Sequence, residues 1–341
     1  MSTIDRRWVH IPDIPDIPGL RFRYYADEDD LPAMAEVANA FNEANGEKER
    51  WSVEMMRTEF RSPTHIQPTD GMLLGFIGDR LAAYSSIEYS DTTDGERHYR
   101  SLGNLHPDFA RQGLGTALMA FNERLLLGLA ARDDYPGPRK LITWLDDPNA
   151  GGIELARRRG YQKVRVYHHM TRPHMDHIEV PPLPKGIEVR PVTREMLAQV
   201  FDAAAEAFRD HFGGHDFSEA ARRRWLDDPL LEPELLVVAF DGDEVVAGVQ
   251  GAIDPDENVA NDYLCGWTDP VFTRRSWRRR GLAYALLGRS LQQLKERGMT
   301  SAQLAVDSEN ENQALTLYQR HHYEVDRSAS EWHKPLEVAD G

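Results

Sequence analysis

One arrangement occurs twice in this chain of 341 residues: an extended segment, a tight turn, and a leucine-striped helix, with Gly113 and Gly281 in corresponding places. In the second copy Val271-Phe272-Thr273 passes through Arg274, Arg275, Arg278, Arg279 and Arg280, and the helix opens at Gly281-Leu282-Ala283-Tyr284. Leu282, Leu286, Leu287, Leu291 and Leu294 then recur at helical spacing. In the first copy Tyr99 to Leu105 leads to Ala110-Arg111-Gln112-Gly113-Leu114-Gly115, followed by Leu118, Phe121, Leu125 and Leu129 on one helical face. Two copies separated by about 168 residues mark duplicated domains rather than a short solenoid repeat. A turn that feeds backbone N–H groups into a helix N-terminus also suits an anion, because the first-turn donors are unpaired and the helix dipole favours negative charge. Gly281 admits a ligand close to the backbone. The arginines add charge-assisted donors matched to phosphate oxygens.

The surrounding pattern alternates strands and helices. Strands are expected at 20–25, 72–78, 80–90, 99–105, 140–145 and 161–170, with helices near 30–42, 53–60, 114–130 and 149–159. Gly160 reads as a helix C-cap. The second half repeats this order from Ile187: helices near 194–209 and 218–225, strands at 235–240, 244–253 and up to Thr273, then the Leu-rich helix. Strand 302–307, a helix over 310–318 and an aromatic strand from Tyr323 complete it. Residues 1–19, with Ile11-Pro12-Asp13-Ile14-Pro15-Asp16-Ile17-Pro18, read as an extended arm draped on the surface or packing its isoleucines on the second domain. Residues 173–185, with four prolines, read as a semi-rigid linker.

Composition narrows the function. The formal charge of −16 disfavours a nucleic-acid binder, so the arginine turn is a local basic island suited to a phosphate-bearing small ligand. No Cys/His cluster has metal-ligand spacing, and the single Cys265 fits a reducing cytosol, hence an expected cytoplasmic location. No apolar run is long enough to span a bilayer, and the N-terminus carries no apolar signal-peptide core.

The pattern Arg278-x-x-Gly281-x-Ala283 after a strand lacks the Lys-Ser/Thr ending of a P-loop and the three glycines of a dinucleotide fingerprint. Together with the later strand, Asn310, Ala314, Leu317-Tyr318 and the closing Tyr323, it resembles the acetyl-coenzyme A loop and following elements of GNAT-type N-acetyltransferases. The resemblance covers about 20–170 and 186–335 and is of the tandem, mycothiol-synthase type. It implies an α+β fold of two GNAT-like domains, 20–172 and 186–336, each a mixed sheet with a splayed central strand pair and flanking helices. It also implies acetyl-CoA as co-substrate and a small amine, possibly cationic, as acceptor, in a monomer or homodimer. By the same resemblance Val271, Phe272 and Thr273 pair with the pantetheine arm. Arg278, Arg279, Arg280, Gly281, Leu282, Ala283 and Tyr284 hold the pyrophosphate, at most two of the arginines touching phosphate. Asn310 caps its helix and touches the cofactor, and Tyr318 is the acid for the leaving thiolate.

The two copies differ at these positions. Ala110 and Ala156 stand in the first copy where Arg278 and Tyr318 stand in the second, which points to chemistry in the second. His322 replaces the glycine expected at the end of the second copy's last helix, so an irregular helix end is expected there. Asp269, His211 and His215 are the candidates for a general base, and Asp210, Asp216, Asp262 and Asp269 for holding an ammonium group. A longer acyl-CoA donor, or a non-catalytic acyl-CoA-binding protein, are the competing readings.

Overall fold

The computed structural model describes residues 8–61, 65–92, 95–209, 212, 218–310 and 314–336. The chain forms two compact units. The first comprises residues up to Val164 together with Ser330–Gly341, and the second comprises Arg165–Ala329.

The first unit holds β1 (Leu20–Tyr24), α1 (Leu31–Ala44), α2 (Val53–Arg61), α3 (Pro68–Gly71), β2 (Met72–Ile77), β3 (Arg80–Asp91), β4 (Arg97–Leu105), α4 (Leu114–Ala130), β5 (Arg139–Asp146) and α5 (Ala150–Arg158). Strands β1 to β4 are antiparallel neighbours in chain order, and β4 runs parallel to β5. The second unit takes most of β6 (Gln162–Arg172). It continues with β7 (Ile187–Arg190), α6 (Leu197–Ala207), α7 (Glu219–Leu226), β8 (Leu236–Asp241), β9 (Glu244–Ala252), α8 (Pro255–Asn261), β10 (Cys265–Thr273), α9 (Leu282–Glu296), β11 (Ser301–Asp307) and α10 (Ala314–Arg320). The last strand, β12 (Glu324–Pro335), begins in the second unit and ends in the first. In the second unit the order β7-β8-β9-β10-β11-β6 repeats the first unit's order, again with one parallel pair, β10 and β11.

The closing strands are where the units depart from the expected boundaries at 172 and 186. Tyr167 to Arg172 of β6 pair residue by residue with Asp307 to Ala302 of β11, so the strand that ends the first copy in sequence completes the second unit's sheet. Reciprocally, Leu336 donates its N–H to the Arg139 carbonyl, and Trp332 is buried with Tyr99, Leu141 and Ala156 in the first unit's core. An edge strand of either sheet would leave its backbone groups unpaired, and each is paired by the other copy's terminal segment.

The Pro-rich 173–185 segment is not a free spacer. It lies on α9: Lys295 donates to the Met175 carbonyl and Arg289 to the Pro181 carbonyl, at 2.9 and 3.1 Å. A Cβ on Gly288 would lie 2.0 Å from the Glu179 carbonyl oxygen, so that helix position must be glycine for the segment to pack. The N-terminal arm packs on the first unit, not the second. Ile11 is buried among Phe22, Leu114 and Leu118.

Candidate active site

Leu282, Leu286, Leu287, Leu291 and Leu294 are all buried and form the stripe that seats α9 on its sheet. Each such side chain contributes about 1.5–3 kcal/mol by burial, so the helix start is held firmly against β10. Gly281 is its N-cap in the left-handed conformation, φ +80°, and Arg279 just before it also has positive φ, +61°. The first helical bond runs from the Ala285 N–H to the Gly281 carbonyl, which leaves the preceding amides ahead of the ladder. A Cβ built on Gly281 meets nothing within 4 Å, so the approach to these amides is open.

The five arginines separate into two groups. Arg274 pairs with Glu206 and Glu244, and Arg278 donates to the carbonyls of Thr273 and Ala207, at 3.1 and 2.8 Å. Both brace the turn. Arg275, Arg279 and Arg280 are exposed, Arg280 also donating to the Ser276 carbonyl at 3.0 Å, and of these Arg279 and Arg280 adjoin Gly281, where an anion would meet them. Tyr284 turns its hydroxyl away to Glu179, 2.6 Å, and stacks near His321, so of this residue only the backbone is placed for a phosphate.

Between β10 and β11 the sheet opens. The ladder ends at the pair Trp267–Gln303. Beyond it, among the described residues, β10 keeps only its β9 partner, through a register shift between Thr268 and Val271, and so Val271, Phe272 and Thr273 turn one backbone edge into the gap. Among the described residues the buried Thr273 hydroxyl oxygen has no hydrogen-bond partner. An extended amide-bearing chain fits such a gap, because it supplies the partners the missing ladder does not. The Thr273 hydroxyl, the strand edge and the open Gly281 turn together fit the pantetheine and pyrophosphate of a coenzyme A.

Two ionisable side chains face the fork. Asp269, two residues past the last ladder pair, reaches across to β11 and accepts a hydrogen bond from the Ala305 backbone N–H. Desolvation outweighs that bond and pushes its carboxyl up to about 6. Tyr318 on α10 is 5% exposed, and burial first, then the charge of Asp269, hold its hydroxyl far above the ordinary tyrosine range. At neutral pH the site therefore pairs a mostly ionised carboxyl, one that begins to take up protons near pH 6, with a tyrosine that keeps its proton. Tyr323 completes the floor, its hydroxyl 2.7 Å from that of Thr268.

The α10 end is regular, contrary to expectation. His322 adopts φ +61°, and Tyr323 N–H bonds the Tyr318 carbonyl at 3.1 Å, the pairing that closes a helix through a left-handed residue. Asn310 lies just before residues outside the described set. Its backbone N–H bonds the Asp307 carbonyl, and the amides it would cap lie outside the described residues. His211, His215, Asp210 and Asp216 also fall outside the described residues, and Asp262 is an exposed left-handed cap of α8. The sequence pattern missed α8 itself. Its signal was Asp254-Pro255, an N-cap side chain followed by proline at the first helical position.

The first unit keeps the backbone and lacks these side chains. Arg111 and Gly113 repeat the positive φ values, +64° and +88°, and the β4–β5 ladder ends at Arg100–Ile142. Leu102, two residues past that pair, stands where Asp269 stands, and buried Ala156 stands where Tyr318 stands. In front of Gly113 lies Pro15 of the arm, 3.6 Å from a built Cβ.

Residues 197–323 match the acetyltransferase (GNAT) family. Curated relatives include the mycothiol acetyltransferase of Geodermatophilus obscurus, 28% identical over 63% of this chain and 67% of that protein. Another is the mycothiol acetyltransferase of Streptomyces scabiei, 28% identical over 74% and 77%. Among solved structures, a GCN5-related N-acetyltransferase from Sphaerobacter thermophilus superposes with TM-score 0.69 at 24% identity, covering 96% of this chain and 98% of that one. A tandem GNAT protein from the clavulanic acid biosynthesis pathway gives 0.66 at 15%, covering 94% and 100%. Those two likenesses establish the fold. The family match covers residues 197–323, the stretch that carries the open turn, the splayed strands and Tyr318, and over that stretch the chain is similar to GNAT acetyltransferases.

Proposed function

We propose that the second unit transfers the acetyl group of acetyl-CoA to a small cationic amine, and that the first unit is catalytically silent. The carrying observation is the Asp269–Tyr318 pair at the fork, absent from the first unit, where Leu102 and Ala156 stand instead. Asp269 takes a proton from the acceptor ammonium, so that the amine nitrogen can form its bond to the thioester carbonyl carbon. As the carbon–sulfur bond breaks, Tyr318 gives its proton to the departing thiolate, the nitrogen loses its second proton to solvent, and Tyr318 is reprotonated from solvent. A base with a pKa near the working pH and an acid that stays protonated satisfy the two demands of amide formation from a thioester. Backbone groups of Val271 to Thr273 hold the pantetheine, and the amides at Gly281 to Tyr284 with Arg279 and Arg280 hold the pyrophosphate.

Two measurements test this reading. Gly281→Asp places a carboxylate in the open approach to the turn, and calorimetry is expected to show acetyl-CoA affinity lowered by about 100-fold, some 2.7 kcal/mol. Unchanged affinity in the folded variant would move the cofactor elsewhere. For the acceptor, a panel of amines is followed by coenzyme A release. A body of charge −16 draws cations, so kcat/KM for a polyamine is expected to fall as salt shortens the Debye length to about 8 Å, while a neutral amine of similar size responds much less. Faster turnover of neutral or anionic acceptors, with no salt effect on cations, contradicts the cationic assignment.

A further inference from the structure

On α8, Glu257 is 2% exposed, and yet among the described residues every group that hydrogen-bonds its carboxylate is neutral. One oxygen accepts from the Tyr263 hydroxyl and from the Gln303 amide, the latter at 2.5 Å. The other accepts from the Trp267 indole N–H at 3.1 Å. A buried carboxylate without a cation is costly, and an apolar residue of similar size would often be more stable there. Its place in the sheet gives it a use. Trp267 and Gln303 are the last residues that β10 and β11 share before the strands part.

The helix that carries Glu257 is itself fixed to this point. Asp254 caps it by accepting from the N–H groups of Asp256 and Glu257, at 2.9 and 3.0 Å. Asn258 accepts from the Cys265 backbone N–H, 3.0 Å, at the start of β10. On the opposite side of the strand Thr268 is held by Tyr323, since consecutive strand residues face opposite ways. The junction of the fork is thus clamped from both faces, and one residue further on lies Asp269.

We propose that Glu257 is a positioning residue for acetyl transfer. By tying Trp267 to Gln303 it fixes where the two strands separate, and hence the relation of Asp269 on β10 to Ala305 on β11 and to Tyr318, without touching donor or acceptor. This rests on the reading that the fork of the second unit is the transfer site. A loosened fork misplaces the reacting groups, and displacements near 1 Å cost on the order of 10²-fold in rate.

The test uses the full chain with acetyl-CoA and putrescine or glucosamine, whichever turns over faster, or acetyl-CoA hydrolysis if neither does. Glu257→Gln leaves one carboxamide oxygen for three donors and sets its own NH₂ against at least one of them. It is expected to lower kcat about 10–100-fold with KM for acetyl-CoA within about twofold. The exchange Glu257→Gln with Gln303→Glu restores a carboxylate–amide pair at the junction and is expected to recover most of that loss. A role in stability alone would move the melting temperature and leave kcat of the folded protein unchanged. Wild-type kcat in folded Glu257→Gln, or a loss that the exchange does not recover, overturns the proposal. If Glu257→Gln does not fold, Trp267→Phe, which removes one tie and keeps an aromatic ring, carries the test with the same split between kcat and KM. Tyr318→Phe is assayed alongside. If it turns over like wild type, the transfer-site reading itself has failed. If it is slow while Glu257→Gln is not, only the positioning role has failed.

Discussion

Tyr318→Phe is expected to lower kcat about 10²–10⁴-fold and to leave acetyl-CoA affinity nearly intact, because general acid assistance is worth that much and the ring's packing is retained. The hydroxyl is the only atom removed, and its proton is held through the neutral range by burial and by the charge of Asp269. Single-turnover kinetics, where chemistry and not product release is observed, give the clean reading. With a more acidic leaving thiol in the donor the loss should shrink, since a better leaving group needs less help. Wild-type single turnover would reduce Tyr318 to a packing residue of the core formed by α9, β11 and α10.

Asp269→Asn is expected to do two things at once. It removes the proton acceptor, so kcat/KM falls about 10²–10⁴-fold, and the acidic limb of the wild-type pH profile, centred near 6, disappears. It also stabilises the fold at pH 8. A carboxyl whose pKa rises from about 3.9 unfolded to about 6 folded contributes stability that is complete below the unfolded value. That contribution is lost as pH rises through the folded value, where the native state must carry a desolvated charge. Asparagine has no such charge, and its oxygen can still accept from the Ala305 N–H. A gain of about 1–3 kcal/mol at pH 8, fading toward pH 4, is therefore expected by denaturant titration at the two pH values. Equal stability of the two proteins at both pH values would show that Asp269 is solvated and not tuned.

Much of this architecture is legible from one strand of letters because the signals are local. The leucine spacing of α9, the glycine at its cap and the repeat at Gly113 are all contained within short windows, and they place the turn where the structure has it. The side chains at the fork are a harder matter. Asp269 is legible as one candidate base among three, but its raised pKa is not, because that comes from desolvation in the folded chain, set against a bond from Ala305, 36 positions further on. Glu257 is invisible for the same reason: its partners Trp267 and Gln303 meet only when β10 and β11 pair. The arginines mislead in the other direction. Arg278 has the motif position but spends its donors on carbonyls, whereas Arg279 and Arg280 remain exposed. The strand exchange is hidden because β6 and β12 have equivalent patterns, and nothing within either states which sheet it will join.

That exchange has a consequence for synthesis. A ribosome finishing the first copy at about residue 170 has released neither unit whole. The second unit can close once Ala329 has emerged, whereas the first waits for the segment from Ser330 onward, although most of it was made first. The order of completion is thus the reverse of the order of translation, and the unit that carries Leu102 and Ala156 is the last to acquire its full sheet.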